Sequence, residues 1–293
     1  MSYSLNRNQE FSEKYAAMKC CVDDLLNEEF ATSLHSDELE KIFAYTVLSP
    51  GKRLRPILAL ASAELLGVDR ELITPIALAV ECLHAASLIH DDLPALDNDD
   101  FRRGRPTCHK VFGESNAILG GDALIAKVFE IISRDNQINS NSKVKIIKLI
   151  ADTTIELCLG QIMDLNGSGK NNELKNKTLL LSDRADVEIF LRDTNLKKTA
   201  SLIRASILGP LYLVEDAALH AKFENKLITY GTSLGLLFQV TDDILDSGKD
   251  VSHRTAKESA LSLANKANEA MSSFGEKGKF LVDLCNHILN RTN

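Results

Sequence analysis

Apolar residues along this chain recur at intervals of three and four. No stretch alternates with a period of two, so the pattern predicts helices and no strands. Ser36 with Asp37-Glu38 reads as a helix start through capping and favourable charge at the N-terminus. The helix runs on over Leu39–Leu48 and stops at Ser49-Pro50-Gly51. Pro56 opens a second helix over Ile57–Leu66, closed by Gly67. Thr74-Pro75 reads as an N-cap and first-turn proline for an apolar helix reaching Asp91. Further helices are expected over Asn116–Ile132, Val144–Leu165, Leu196–Val214, Phe223–Leu245, Ala260–Met271 and Phe280–Leu289. The polar, glycine-containing run Asn166–Asn176 reads as a loop. With no internal repeat and no dividing linker, residues 1–293 are expected to form one all-α domain.

Composition narrows the classes of partner. The 44% hydrophobic and 26% charged content belongs to a folded chain rather than a disordered one. A net charge of −7 argues against nucleic acid as a partner. Within that acidic total, Lys52, Arg53 and Arg55 form one basic knot and Arg102, Arg103 and Arg105 another, a distribution suited to small anions. The six cysteines contain no CxxC pair, so neither a zinc framework nor a disulfide scaffold is expected, and a reducing cytoplasm fits. The polar, acid-containing segment Met1–Asn27 lacks the pattern of a signal or transit peptide. No apolar run reaches about 18 residues, so no membrane span is expected.

The first chemical feature is Asp91-Asp92-Leu93-Pro94-Ala95-Leu96-Asp97, followed by Asp99-Asp100. Carboxylates this dense repel one another unless cations neutralise them. A solvated acidic loop is the plain alternative. Pro94 makes the helix kink or end there. Oxygen ligands beside a helix end suit Mg²⁺, which takes one or two protein carboxylates and completes its shell with water and phosphate. Arg102-Arg103-Gly104-Arg105 follows at once and supplies guanidinium groups for that phosphate.

The second is Asp242-Asp243-Ile244-Leu245-Asp246, at the end of an apolar helix. Asp242 and Asp246 share one face, and Asp243 lies about 100° round the wheel. A DDxxD pattern alone arises readily by chance; two acidic clusters at helix ends, with basic knots elsewhere, do so much less easily.

With these motifs in order, the chain resembles the trans-isoprenyl diphosphate synthases, the family of farnesyl and geranylgeranyl diphosphate synthases. The resemblance runs from about Ile42 to Asp246, with a weaker tail to Arg291. It is carried by Gly51-Lys52-Arg53-Leu54-Arg55-Pro56, Glu81 to His84, Ser87 to Pro94 continuing to Arg102-Arg103-Gly104, Gly160-Gln161 with Asp164, Lys198-Thr199, and Phe238-Gln239 with Asp242 to Asp246. It implies an all-α bundle around a deep central cavity, the isoprenoid synthase fold, as a homodimer. It implies three Mg²⁺ ions per site, held by Asp91, Asp92 and Asp97 and by Asp242, Asp243 and Asp246. Gly51, Lys52, Arg55, His84 and Arg103 would take isopentenyl diphosphate. Arg102, Lys198 and Lys249 would take the allylic diphosphate, whether dimethylallyl, geranyl or farnesyl. Lys198, Thr199 and Gln239 would line the reaction centre. Taken singly, His84 reads equally as a buried helix histidine and Lys198 as a surface lysine.

The same resemblance sets an expectation for product length. Residues upstream of Asp91 would form the cavity floor, with Ser87 about 6 Å and Ala86 about 7.5 Å back along the axis. Bacterial farnesyl synthases of this type carry an aromatic where Ala86 stands, so the longer geranylgeranyl diphosphate is favoured, with farnesyl diphosphate as the alternative. Ala200 stands where glycine is usual. Ser247–Thr255 is short where the family has a lysine-bearing lid, leaving only Lys249 and Lys257. That departure keeps open a weakly active partner subunit of a heteromeric synthase. A terpene cyclase is disfavoured by the Lys52–Arg55 knot, which a cyclase has no isopentenyl diphosphate to engage.

Overall fold

Period-four spacing of Val22, Leu26 and Phe30 gives the first helix its buried stripe; the three are 2%, 0% and 6% exposed. This helix, α1 (Ser2–Phe30), is absent from the expectations above, although the spacing in the sequence carries it. The structure, a computed structural model, describes residues 2–31, 36–167, 192–246 and 252–291. Among them helices dominate, as the periodicity requires, and they group into two compact units.

Unit 1 comprises Met1–Ala63 and Gly67–Ile147. Its helices are α1, α2 (Glu38–Val47), most of α3 (Leu54–Leu66), α4 (Arg70–Asp91), α5 (Cys108–Phe112), α6 (Glu114–Arg134) and the start of α7 (Ser140–Gly167). The cap of α2 is Asp37 rather than Ser36. Its carboxylate accepts from the Glu40 amide at 2.9 Å while Glu40 accepts from the Asp37 amide at 3.2 Å, a reciprocal capping box. α4 starts five residues earlier than Thr74-Pro75 suggested. Asp69 is its N-cap, and Pro75 lies inside the helix at the loss of one backbone hydrogen bond. Burial explains why the helix tolerates it: Ile73, Ile76, Val80, Leu83 and Ile89 are all 2% exposed or less. By length and composition α4 could cross a membrane, but most of it is buried in the protein as a core helix is. α4 packs against α6, and α2 packs against both.

The prediction of no strands has one small exception. Phe101–Arg102 (β1) pairs antiparallel with Arg105–Pro106 (β2). Arg103 and Gly104 connect them with φ of 53° and 75°, positive at both central positions as in a type I′ turn. Two residues per strand are too few to leave a periodic signal.

Unit 2 comprises Lys148–Asn293 with Glu64–Leu66. It holds the rest of α7, α8 (Ser201–Leu208), α9 (Ala217–Asp246), α10 (Ser252–Ser272) and α11 (Lys279–Leu289). The single helix expected over Leu196–Val214 is divided into a π-helical turn at Leu196–Ala200, α8, and a 3-10 turn at Gly209–Leu213. Pro210 lacks the amide an α-helix needs there. α9 packs against the π turn, α8, α10 and α11. Tyr230 on α9, fully buried, donates to the Leu281 carbonyl at 2.7 Å and ties α9 to α11.

Candidate functional site

In unit 1 the first acidic cluster begins where α4 ends. The Asp97 amide donates to the Asp91 carbonyl at 2.8 Å, which folds the Pro94 segment into a tight loop and returns Asp97 to Asp91. Asp92 behaves differently: it is 3% exposed and accepts from Arg102 Nε at 2.6 Å. Burial raises its pKa and the Arg102 hydrogen bond works against that rise. Its carboxylate is therefore committed to holding Arg102, and Asp91 and Asp97 carry the more accessible carboxylates.

The first basic knot separates into different jobs. Arg53 is buried, donating to Glu81 at 2.9 Å and to Asp23 of α1 at 2.8 Å, so its charge is spent inside the fold. It adopts φ 52°, a left-handed backbone uncommon for a side chain of this size. That turn leaves Lys52 at the surface, its carbonyl accepting from the Tyr15 hydroxyl of α1 at 2.6 Å. Arg103, at the hairpin tip, donates to the Pro50 carbonyl at 3.0 Å and so joins the second knot to the first. A β-carbon on Gly51 would lie 2.6 Å from Arg103 Nη1, so glycine is what permits this approach. His84 lies in the field of these groups. Burial first, then the charges of Arg55, Arg103, Arg102 and Arg53, holds its imidazole well below the usual range. It stays neutral near pH 7 and can still donate one hydrogen bond to an anion. Behind it, Ser87 donates to the His84 carbonyl at 2.8 Å, and Ala86 is fully buried.

In unit 2 the π turn aims Lys198 and Thr199. Two glycines make room for it: a β-carbon on Gly160 of α7 would fall 2.7 Å from the Lys198 Cα, and one on Gly235 of α9 would fall 2.5 Å from the Ala200 Cα. Lys198 Nζ is ion-paired to Asp164. Thr199 Oγ1 donates to Gln239 Oε1 at 2.9 Å, and Gln239 Nε2 donates to Asp243 Oδ1 at 2.9 Å. Thr199, Gln239 and Asp243 thus form one hydrogen-bonded relay. Gln161, beside Gly160, has both amide atoms buried with no partner among the described residues. Asp242 Oδ1 accepts from Arg291 at 2.7 Å. Arg291 was given no role from sequence, and its only signal there was a basic residue near the end of the resemblance. Asp246 closes α9, and Lys249 lies outside the described residues.

The structure thus brings together Asp91 with Asp97, Asp92 with Arg102, Gly51 with Arg103, and Thr199 with Gln239 and Asp243. Among the described residues, no three His, Cys, Asp or Glu side chains gather closely enough to hold a metal unaided. The donor set is all carboxylate, which fits a hard cation that brings its own water and phosphate ligands.

Comparison with known proteins agrees with this arrangement. The polyprenyl synthetase family model matches residues 36–260. A geranylgeranyl diphosphate synthase of Cyanophora paradoxa is 36% identical over 298 residues, spanning 93% of this chain and 93% of its own. A farnesyl diphosphate synthase of Haemophilus influenzae is 36% identical over 239 residues, spanning 80% of this chain and 76% of its own. The crystal structure of a geranyltransferase from Legionella pneumophila superposes with a TM-score of 0.83 at 29% identity, covering 97% of this chain and 99% of that one. With a family model running across most of its length and a relative matched nearly end to end, this all-α chain belongs to the polyprenyl synthetase family.

Proposed function

We propose that this prenyl-transferring enzyme condenses isopentenyl diphosphate with an allylic diphosphate and releases geranylgeranyl diphosphate as its main product. The observation that carries the reading is the division of labour at the end of α4. Asp92 is turned inward to fix Arg102, while the Asp97 backbone is folded back to that of Asp91, so both of these residues sit near a fixed guanidinium. Asp91 and Asp97, and Asp242 with Asp246, would hold the Mg²⁺ ions, with Asp243 steadied by Gln239. Bound Mg²⁺ supplies charge neutralisation for the diphosphate that leaves.

The chain's own residues do the rest. Arg102 and Lys198 bind the allylic diphosphate, and Lys249 is assigned with them by position. Gly51, Lys52, Arg55, His84 and Arg103 bind isopentenyl diphosphate, His84 as a neutral donor. The allylic carbon–oxygen bond breaks and its electron pair leaves with the diphosphate. The double bond of isopentenyl diphosphate then attacks the allylic cation, and a proton passes to the released diphosphate. Thr199 and Gln239 face the cation with oxygen dipoles, which stabilise positive charge without adding to it. No protein nucleophile is needed; positioning and exclusion of water suffice.

Residues 1–293 act as one functional domain in this reading, since the family match runs through both units. Ile155, Leu159 and Ile162, spaced along one face of α7 and 60%, 44% and 54% exposed, support a homodimer. A cytoplasmic location is assigned on the unpaired cysteines. Farnesyl diphosphate is the second reading, favoured by the Haemophilus influenzae relative at equal identity. The test is incubation of purified protein with Mg²⁺, radiolabelled isopentenyl diphosphate and each allylic primer, with products separated by chain length. A C20 product supports the reading, and a C15 end product replaces it with the second. No incorporation from any primer overturns both in favour of a subunit that needs a partner.

A further inference from the structure

The side chain of Arg291, just beyond the end of α11, is 7% exposed and lies against the last turns of α9. Its guanidinium lies over the Phe238 ring with Cζ 4.2 Å from the centroid. Its Nη2 lies 2.7 Å from the Phe238 carbonyl, from Thr241 Oγ1 and from Asp242 Oδ1, three acceptors that share its two N–H groups, while Nε donates to Thr241 Oγ1 at 3.1 Å. Thr241 is itself 4% exposed and donates to the Leu237 carbonyl at 2.9 Å. A rigid planar cation is thus held against the ring and two neutral acceptors while it also reaches one oxygen of Asp242.

We infer that Arg291 is a positioning residue for the second aspartate cluster. It fixes the Asp242 carboxylate through Oδ1, and it does so from outside the segment matched by the family model, which ends at residue 260. A guanidinium is suited to this because its donors lie in a fixed plane; an ammonium on a flexible stem aims less well. Groups that orient a metal-binding carboxylate typically change metal affinity by about 10–100-fold when removed. The inference rests on the reading of Asp242 as a Mg²⁺ ligand.

The test titrates Mg²⁺ into the full-length chain with inorganic diphosphate present and follows the rise in melting temperature. Arg291→Met, which keeps the apolar stem over Phe238, is expected to move the Mg²⁺ midpoint up by about tenfold. Arg291→Lys should lie between it and the parent. In an Asp242→Asn background, Arg291→Met should leave the midpoint where Asp242→Asn alone puts it. A midpoint at or below the parental one in Arg291→Met, or an undiminished shift in the Asp242→Asn background, overturns the inference while leaving the proposed activity standing. If Arg291→Met fails to fold by circular dichroism, Arg291→Lys decides: a raised midpoint supports the inference and a parental one overturns it. A parent protein with no Mg²⁺-dependent response to diphosphate removes the metal reading, and the inference falls with it.

Discussion

Gly51 and Arg103 lie 52 positions apart, yet the guanidinium of Arg103 reaches the Pro50 carbonyl at 3.0 Å across a gap that only a missing β-carbon leaves open. Gly51→Ala places a methyl 2.6 Å from Nη1 of a movable side chain, so the fold should adjust and the guanidinium should not stay where it is. We expect the KM for isopentenyl diphosphate to rise about tenfold, the scale of one lost charge-assisted hydrogen bond, with kcat little changed. Steady-state kinetics with the allylic substrate saturating checks this.

Arg53 and Glu81 form a buried ion pair at 2.9 Å, with side chains 4% and 5% exposed. Removing one partner strands the other charge, so Arg53→Met should cost about 3–5 kcal/mol. Chemical denaturation measures it. Arg53→Met with Glu81→Gln together should lose less than Arg53→Met alone, because the neutral amide at position 81 leaves no buried stranded charge and Asp23 keeps its pairing with Lys19.

The π turn is held open by what Gly235 lacks. Gly235→Ala puts a β-carbon 2.5 Å from the Cα of Ala200, a backbone atom that cannot swing aside. The turn must shift, taking with it the 2.9 Å contact between Thr199 and Gln239. A displacement near 1 Å at a reaction centre costs up to about 100-fold, so kcat should fall at least tenfold on that scale; the KM for the allylic diphosphate should rise as well, because Lys198 rides on the same turn, while that for isopentenyl diphosphate moves little.

His84 sets a pH dependence of stability. Burial, reinforced by the surrounding arginines, lowers its folded pKa well below the ordinary value. The unfolded chain takes up a proton at this residue below about pH 6.5 while the folded protein resists it. Stability therefore falls as pH drops from about 6.5 towards the folded pKa. Thermal unfolding of His84→Gln should show a smaller loss between pH 7 and pH 5 than the parent does.

Ala86 tests the assignment of product length. It is fully buried, one turn before His90 on α4. Ala86→Tyr should shift the product from C20 to C15, read by chromatography of dephosphorylated products. An unchanged product with a parental melting temperature would put the floor of the cavity on another helix.

Much of this was legible in the chain. Both aspartate clusters were expected at the ends of apolar helices, and α4 and α9 do end at Asp91 and Asp246. Local chemistry sufficed there because carboxylates, prolines and apolar spacing act within a few residues of one another. Thr74-Pro75 misled because burial of α4 outweighs one missing hydrogen bond, and propensity cannot register burial. The split roles inside the first basic knot and the first acidic cluster were hidden for a different reason. Arg53 is set apart from Lys52 by Asp23 and Glu81, and Asp92 from Asp91 by Arg102, partners fixed by the fold and not by spacing. The π turn and the Arg291 clamp likewise depend on residues 34 to 53 positions apart.

Arg103 sits at φ 53°, in a turn whose two central positions both favour glycine. Selection for thermal robustness alone would press towards glycine at that position and relax the hairpin, discarding the guanidinium that the hairpin exists to present. Stabilised descendants of this protein are therefore best sought with position 103 held fixed, because there the most comfortable backbone and the most useful side chain belong to different amino acids.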